Sequence, residues 1–167
     1  MKAYCVFETK LGYIALASDN KILTYSTLPQ SSRVNALKMI QAGLDESSVE
    51  DVSAFGDLPD RLMRYCDGEQ VDFSDVSIDM SRLGPFHAAA MLAAQRVPYG
   101  QLVTYRDLAR MAGSERASRA AGSAMANNRT LIIVPCHRVV ASGGRIGGFS
   151  SGLDWKRKFL KLEGVNI

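Results

Sequence analysis

The sequence predicts an α+β protein in two parts, a mixed first half followed by a mostly helical second half. The first 28 residues are rich in β-forming side chains and are punctuated by turn signals. At Gly84-Pro85 extended segments give way to alanine-rich helical ones. Two of the later helices are joined by a glycine-serine turn, which is typical of a helix-turn-helix. We therefore divide the chain into an N-terminal α+β structural domain, residues 1–83, and a second domain, residues 84–167.

The first half contains three predicted strands and two predicted helices. The strands are residues 3–9, 13–18 and 22–28, which are separated by the turn signals KLG and SDNK. A serine at the start and Gly43 at the end predict a helix over residues 31–43. Residues 58–68 predict a second helix, which is closed by Asp67-Gly68.

Three predicted helices open the second half. Residues 86–97 form an alanine-rich helix that stops before a proline. In residues 104–113, Thr104 is the predicted N-cap and Gly113 the predicted end. Residues 114–128 follow, with Ser114 as the predicted N-cap.

A glycine-rich loop and a basic helix close the chain. Five glycines fall within residues 143–152, which predicts a flexible loop. Residues 153–164 favour a helix. Three of its apolar side chains share one face by their spacing, namely Trp155, Phe159 and Leu162. Four basic side chains give the helix its charge, namely Lys156, Arg157, Lys158 and Lys161.

A cysteine and a histidine stand side by side in the segment VPCHRVV, directly after the apolar run 130–134. The run predicts a short buried strand that ends at Pro135, because proline fixes its own φ and favours extended backbone before it. Cys136 would then project into a cleft, and Arg138 would keep its surroundings electropositive, which favours the thiolate. The alternative is that Cys136 and His137 are ordinary buried core residues.

Composition and charge narrow the classes of protein. The apolar fraction of 47% is ample for a core, and no apolar stretch reaches the roughly 18 residues that a membrane span needs. The first residues alternate like a strand, so no signal peptide is expected. Residues 84–167 hold 12 lysines and arginines against 4 aspartates and glutamates, whereas residues 1–83 hold 8 against 13. The basic second half predicts a polyanionic partner, with scattered solvated charge as the alternative.

The three cysteines, Cys5, Cys66 and Cys136, are too few and too scattered for a disulfide framework, which favours a reducing cytoplasm. Cys5 and Cys66 could form a pair, but we expect two buried thiols. Together with His87, the only histidine besides His137, they fall short of four ligands. We therefore expect no metal site.

Three segments, in this order and spacing, resemble the O6-alkylguanine-DNA alkyltransferases, a family of repair proteins that take alkyl groups off guanine. They are SRAAGSAM (118–125), PCHRVV (135–140) and GGFSSGLDWKRKFLKLEG (147–164). The similarity covers residues 84–164, which is about half of the chain. It implies a small ribonuclease-H-like N-terminal α/β domain. A mostly helical, winged-helix-like helix-turn-helix domain would follow, and would bind DNA and carry out alkyl transfer.

The resemblance implies roles for four catalytic residues. Cys136 matches the nucleophile that accepts the alkyl group. His137 matches the base that relays through a water to a glutamate, and Glu163 stands where that glutamate belongs. Tyr105 matches the tyrosine that aids rotation of the nucleotide and donates to the guanine ring.

The resemblance also implies a DNA-binding helix. Arg119 matches the arginine that enters the duplex and fills the gap left by the flipped base. Ala120 and Ser123 belong to the small-residue surface of the same helix, which suits close approach to a narrow groove, and Tyr105 adjoins it. Such side chains offer little for reading base edges, so we expect little sequence preference.

The remaining matches line the pocket or support it. The predicted substrate-pocket residues are Met125, Val139, Phe149 and Ser150. Phe149 stands where a tyrosine is common in the family. The predicted structural residues are Asn128, which would tie the helix-turn-helix to the active-site strand, Pro135 and Arg138.

The chemistry agrees with these roles. Displacement at a saturated carbon needs a strong, soft nucleophile, and an ordinary thiol is only a few per cent ionised at neutral pH. An adjacent imidazole removes the proton, and a carboxylate behind it stabilises the cation that forms. The target base lies inside the duplex and must be extruded. The thioether product has no neighbour that could cleave it. We therefore expect one turnover per molecule on O6-alkylguanine, with O4-alkylthymine as a further substrate.

Double-stranded DNA containing alkylated guanine is the partner that follows. We expect no cofactor, no membrane association and no obligate protein partner. We expect a monomer that lies in the cytoplasm and associates with the nucleoid, or that lies in the nucleus if the source is a eukaryote. Three alternatives stay open. A cysteine hydrolase would turn over repeatedly on an ester or amide, and a helix-turn-helix regulator would bind specific sequences without needing Cys136. An alkyltransferase-like damage binder lacks the nucleophilic cysteine, which this chain has.

Overall fold

A computed structural model describes every residue of the chain, Met1–Ile167. The chain forms two compact units, both built from helices and strands, which confirms the predicted α+β class. The first unit consists of Met1–Val71, Asp75–Asp79 and Arg129–Ile133. The second consists of Asp72–Ser74, Met80–Asn128 and Val134–Ile167. None of the helices has the length and apolar character needed to cross a membrane.

A four-stranded sheet organises the first unit. Its strands are β1 (Lys2–Thr9), β2 (Gly12–Asp19), β3 (Ile22–Ser26) and β4 (Val49–Glu50). They lie in the order β3-β2-β1-β4, with β4 parallel to β1 and the other pairs antiparallel. Tight turns join the first three strands, as the alternating sequence predicts. The two-residue strand β4 carried too little pattern to be predicted.

Two helices complete the first unit, both at their predicted places. Helix α1 (Arg33–Ile40) begins at the N-cap Ser32, whose hydroxyl accepts a hydrogen bond from the backbone of Asn35, and a 3-10 turn extends it to Gly43. Helix α2 (Leu58–Cys66) follows. One core cluster lies where α1 covers β2, with four buried side chains in contact: Ala15, Ala17, Ala36 and Ile40.

The run 130–134 is not the strand that its β-forming residues predict. Its first residues bind Ser26 through backbone hydrogen bonds, Ser26 N to Arg129 O and Leu131 N to Ser26 O, both 3.0 Å. At Ile132 the backbone turns into the left-handed region, with φ of 72°. A β-branched residue rarely adopts this conformation, and it interrupts the extended chain. The run is apolar because it is buried in an irregular loop.

The second unit holds four helices and a short parallel ladder. The elements are α3 (Pro85–Gln95), β5 (Val103–Thr104), α4 (Tyr105–Met111), α5 (Ser118–Ala126), β6 (Val139–Val140) and α6 (Leu153–Leu162). Strand β5 pairs with β6 through Val103 opposite Val139 and Thr104 opposite Val140. This ladder brings the start of α4 beside the segment that carries Cys136.

The caps of α4 are as predicted, whereas the predicted start of α5 is wrong. Thr104 and Asp107 form a reciprocal capping box at the start of α4. At its end, Gly113 N donates to Arg110 O and Ser114 N to Ala109 O, which is a Schellman closure. Ser114 therefore terminates α4 and does not cap α5. Helix α5 begins four residues later, at Ser118, without a side-chain cap.

Candidate active site

Cys136 lies on a single 3-10 turn, Cys136–Arg138, that follows Pro135. Its side chain is only 4% exposed and lines a cavity of about 310 Å³. The apolar run and the proline therefore place the thiol at the wall of a cavity, although the run is a loop and not a strand. Cys5 and Cys66 are also buried and free, but neither lines this cavity.

Asn128 fixes the turn that carries the thiol. Its amide donates to the carbonyl oxygen of Val134 at 3.0 Å and contacts Sγ of Cys136 at 3.3 Å. Because Asn128 follows the end of α5, the two contacts connect that helix to the nucleophile. This is the tie that the resemblance implies, made to a loop.

His137 contacts Glu163 directly. Nε2 of His137 lies 2.6 Å from Oε2 of Glu163, and both side chains are almost fully buried. The distance leaves no room for a water between the two groups, so the expected relay through a water to the glutamate is wrong for this step. The ring of Phe159 packs on His137 with the centroids 5.3 Å apart.

Arg138 is paired with Glu163 and does not serve the thiol. Its Nε and Nη2 donate to the two carboxylate oxygens at 2.8 and 3.0 Å, and Nη1 donates to the carbonyl of Val97 at 2.7 Å. The expectation that Arg138 supplies free positive charge next to Cys136 is therefore wrong. Its charge is neutralised by the buried carboxylate.

Lys156 is the residue that sequence reasoning missed. We counted it among the four residues that give the last helix its basic charge, yet it is fully buried. Its ammonium donates to the carbonyl of Val139 at 2.7 Å and to that of Gly148 at 2.8 Å. A signal was available, because Lys156 lies three and four positions before the buried Phe159 and Leu160 and so shares their helix face.

Burial dominates the titration of these groups. It raises the pKa of the Cys136 thiol to about 11, although the Asn128 amide and the charge of Lys156 act in the opposite direction. It also lowers the pKa of Lys156 to about 8. In the structure as it stands, Cys136 is a neutral thiol, which contradicts the expectation of a thiolate favoured by its surroundings.

The pKa values of His137 and Glu163, the pair behind the thiol, are also shifted by burial and by their neighbours. Burial lowers the pKa of His137, and Arg138 and Lys156 reinforce this effect while Glu163 opposes it. Burial alone would raise the pKa of Glu163, but the hydrogen bonds from His137 and Arg138 hold it well below its ordinary value. Glu163 is therefore a carboxylate, and His137 has to donate from Nε2 to reach it.

The cavity at Cys136 is walled by α4, α5 and the glycine-rich loop. Its lining residues are Tyr105, Gly122, Met125, Ala126, Cys136, Gly148, Phe149 and Ser150. Three of the four predicted pocket residues are among them. Val139 is not, because it is buried and its carbonyl is bound by Lys156.

Tyr105 and Gly147 bring the glycine-rich loop against the cavity. The hydroxyl of Tyr105 donates to the carbonyl of Gly148 at 3.2 Å, and burial raises the pKa of that hydroxyl. Gly147 has φ of 75°, and a Cβ there would lie 3.1 Å from the Tyr105 ring and 3.1 Å from Ala141 N. Only glycine allows this approach without strain.

Helix α5 borders the cavity and exposes a small-residue surface. Gly122 and Ala126 line the cavity, whereas Arg119 and Ser123 are exposed and Ala120 is partly so. No hydrogen bond or ion pair is formed by Arg119. Three of the four residues predicted to bind DNA thus share a helix with residues that line the cavity, and the fourth, Tyr105, lines the cavity from α4. No group of three or more His, Cys, Asp or Glu side chains in the chain could hold a metal ion.

The fold is α+β. At its site the buried Cys136 lines a cavity, the His137–Glu163 pair lies behind Cys136, and helices α4 and α5 wall the same cavity. Residues 85–165 match the family model described as the DNA-binding domain of 6-O-methylguanine DNA methyltransferase. The methylated-DNA–protein-cysteine methyltransferase of Methanosarcina acetivorans is 36% identical over 165 residues, which cover 96% of this chain and 97% of that protein. The protein of the same name from Saccharolobus islandicus is 32% identical over 167 residues, covering 100% and 99%.

Solved structures agree. The structure of Mycobacterium tuberculosis OGT in complex with DNA has a TM-score of 0.76 and 33% identity, covering 96% of this chain and 92% of that one. The O6-methylguanine-DNA methyltransferase of Pyrococcus kodakaraensis has a TM-score of 0.71 and 25% identity, covering 99% and 100%. The chain belongs to the methylated-DNA–protein-cysteine methyltransferase family. The predicted family and enzyme class are confirmed.

Proposed function

We propose that this protein repairs DNA by moving the alkyl group of O6-alkylguanine onto Sγ of Cys136, once per molecule and irreversibly. The single observation that carries the proposal is the thiol of Cys136 at the wall of a 310 Å³ cavity, with the His137–Glu163 pair directly behind it. A cavity of this size lies at the lower end of small-molecule sites, which suits one nucleobase. O4-alkylthymine is the second substrate to test.

The proton of Cys136 has to leave before or during attack, because burial raises the pKa of the thiol to about 11. His137 donates from Nε2 to Glu163, so its Nδ1 is the lone pair that can take this proton. Glu163 then stabilises the imidazolium that forms. Lys156, whose positive charge lowers the pKa of Cys136, favours the thiolate at the same moment.

The transfer itself forms one bond and breaks one. Sγ of Cys136 bonds to the alkyl carbon while the bond from that carbon to O6 breaks, and its electron pair leaves with guanine. Tyr105 exchanges its hydrogen bond to the Gly148 carbonyl for one to the leaving base, and its raised pKa keeps the hydroxyl protonated. The base finally takes the proton that left Cys136. The product is a thioether, which no neighbouring group can cleave, so the protein is consumed.

The base can reach Cys136 only after it has left the duplex, at a cost of a few kcal/mol. We propose that helix α5 lies in the minor groove and that Arg119 fills the gap in the stack. The support is the exposed, unpaired Arg119 on the helix that also lines the cavity. Ala120 and Ser123 allow close approach and carry no base-reading group, so binding should be nearly independent of sequence.

We also propose the finer description of the fold and its use. The strand order β3-β2-β1-β4 supports a ribonuclease-H-like, structural N-terminal domain over residues 1–83. The pair α4 and α5 beside a small ladder supports a winged-helix-like domain over residues 84–167 that binds DNA and transfers the alkyl group. The protein would act as a monomer, without cofactor or metal.

Mass spectrometry after mixing with a duplex that carries one O6-methylguanine tests the transfer. One methyl group should appear per protein molecule, on the peptide that contains Cys136. Cys5 and Cys66 serve as internal controls because both are buried free thiols away from the cavity. Cys136→Ser should bind the duplex and transfer nothing. Methyl on another cysteine would contradict the proposal, and repeated turnover would contradict it in favour of a hydrolase-like enzyme.

Single-turnover repair by Arg119→Ala, on paired and on single-stranded substrates, tests the role of Arg119. Its loss should slow repair of the paired duplex more, because a single-stranded base costs less to extrude. Arg116→Ala is the matched control, since Arg116 is also exposed and lies just before α5. Arg116→Ala should slow repair of both substrates equally. An equal loss on both substrates for Arg119→Ala would show that Arg119 only contacts phosphate.

A further inference from the structure

Glu163 receives more hydrogen bonds than a partner of His137 alone would need. Its buried carboxylate accepts from His137 at 2.6 Å, from Arg138 at 2.8 and 3.0 Å, and from the backbone N–H of Gly100 at 2.9 Å. Arg138 is itself held in place, by Val97 O and by the ring of Tyr99 at 5.7 Å. The guanidinium and the carboxylate form a buried, bidentate pair.

The charges of this cluster balance without His137. Arginine keeps its proton at every accessible pH, so Arg138 contributes one positive charge and Glu163 one negative charge. A neutral His137 then completes a cluster with no net charge. Without Arg138, the only ionisable partner in contact with the buried carboxylate would be His137, which would bind a proton to compensate, since an unpaired buried charge is strongly unfavourable.

We propose that Arg138 is the positioning residue that keeps His137 neutral, with its proton on Nε2, so that a base is ready before the substrate arrives. Arg138 touches neither the thiol nor the cavity and acts only through Glu163. The inference deepens the proposed function, on which it rests for the use made of the base. The state of His137 in the free protein can be tested without that function.

The other groups around His137 do not replace Arg138. Lys156, from helix α6, favours a neutral imidazole as well, but its ammonium is bound to two carbonyl oxygens and makes no contact with Glu163. Cys136 precedes His137 and is a neutral thiol at rest. Tyr99 has a raised pKa and stays uncharged, and Phe159 carries no charge. Arg138 is therefore the one cation in contact with the carboxylate.

Removal of Arg138 should leave the base occupied. In Arg138→Met the proton that compensates Glu163 sits on His137, so the imidazolium cannot accept the proton of Cys136 at neutral pH. The pKa of His137 should rise by about 1 to 3 units, the shift that an opposite charge in contact produces. The rate of alkyl transfer at pH 7 should fall by about tenfold for each unit that this pKa lies above 7, and should recover as the pH is raised.

Nitrogen-15 NMR of the histidine rings in the free protein is the direct test. The chain has two histidines, so His87→Gln assigns the signals of His137. Wild type should show a neutral ring with the proton on Nε2 at pH 7. Arg138→Met should show an imidazolium that titrates at higher pH, and Arg138→Lys, which keeps the charge but not the bidentate geometry, should lie between them. An imidazolium in wild type at pH 7, or a neutral ring in Arg138→Met, would overturn the proposal.

The pH dependence of single-turnover transfer gives the second readout. The midpoint of the acid limb should move upward in Arg138→Met, with the rate at high pH restored. A purely structural role would lower the rate equally at every pH, which would overturn the proposal. If wild type transfers no alkyl group, the proposed function fails while the NMR result still decides this inference. If Arg138→Met does not fold, the wild-type spectrum and Arg138→Lys decide it.

Discussion

The two units of this protein treat charged side chains in opposite ways. The first unit buries none of them, and every one of its ion pairs has at least one exposed partner, as in Arg33–Glu50, where both are exposed. The second unit holds the four buried side chains that are lysine, arginine, aspartate, glutamate or histidine: His137, Arg138, Lys156 and Glu163. Burying charge is costly unless it is paired and hydrogen-bonded. The second unit bears this cost at the site that we propose holds and moves a proton.

The largest expected effect is on stability, and it separates the two kinds of ion pair. Glu163→Gln leaves Arg138 buried without a counter-charge and should lower the free energy of unfolding by about 3 to 5 kcal/mol. Glu50→Gln removes an exposed pair with Arg33 and should cost less than about 1 kcal/mol. Urea unfolding of both variants makes the comparison. Equal costs would show that burial of the second pair does not matter.

The pH dependence of stability sharpens the same contrast. The folded-state pKa of Glu163 is depressed, so its contribution to stability is complete above its unfolded pKa of about 4.3 and is lost as the pH falls further. The stability difference between wild type and Glu163→Gln should therefore be constant above about pH 5 and shrink by up to about 1.4 kcal/mol per pH unit below pH 4.

An exposed carboxylate in the first unit supplies the control. The hydrogen bond from Lys2 lowers the pKa of Asp45 to about 2, so its contribution fades between pH values of about 4 and 2. Because Asp45 is exposed, 1 M salt should weaken the part of that contribution that comes from the charge of Lys2, while the hydrogen bonds from Ser47 remain. The contribution of Glu163 should persist in the same salt. Equal sensitivity to salt would contradict the distinction between the two units.

The sequence predicted the features that depend on residues close together along the chain. The Thr104 cap of α4 and the serine cap of α1 depend on neighbours within four residues, and they lie where we expected them. Glu163 was assigned from the family resemblance. It could not be found otherwise, because 26 residues separate it from His137.

Tertiary contacts decided the features that sequence missed. Lysine is a residue type that usually lies on the surface, and only the carbonyls of Val139 and Gly148 make the burial of Lys156 favourable. Arg138 follows Cys136 closely along the chain, yet its partner is Glu163. The run 130–134 was assigned to a strand because its side chains are β-branched and apolar, but Ile132 adopts a left-handed conformation that no local pattern signals.

Lys156→Met tests the buried ammonium. The variant removes the donor of two carbonyl oxygens but also the cost of burying a charge, so the net loss should be about 1 to 3 kcal/mol of unfolding free energy. Lys2→Met in the first unit should change stability much less. Because the lost bond to Gly148 frees the glycine-rich loop, alkyl transfer should fall as well. Unchanged transfer in a folded Lys156→Met protein would show that this bond does not position the loop.

Gly147→Ala should affect transfer more than stability. The left-handed φ of 75° and the 3.1 Å approach to Tyr105 give a local cost of about 1 to 2 kcal/mol. If all of this cost falls on the shape of the cavity, the transfer rate should drop by about 5- to 30-fold. Gly144→Ala is the matched control, because Gly144 has a similar left-handed φ of 77° and a Cβ there meets nothing within 4 Å. Single-turnover rates for both variants measure the difference. Similar rates would mean that the loop does not need to lie against Tyr105.

The smallest expected difference lies between the two capped helices. The hydroxyl of Thr104 accepts from Asp107 N at 3.0 Å while Thr104 N donates to the Asp107 carboxylate at 3.1 Å, whereas Ser32 only accepts from Asn35 N at 3.1 Å. Thr104→Ala should cost about 1 to 2 kcal/mol and Ser32→Ala about 0.5 to 1 kcal/mol. Thr104→Ser keeps the hydroxyl and should therefore retain most of the stability that Thr104→Ala loses. Only the Thr104 variant should also slow transfer, because Tyr105 is the first residue of the helix that Thr104 caps. An equal cost at both caps would show that the reciprocal bond adds nothing.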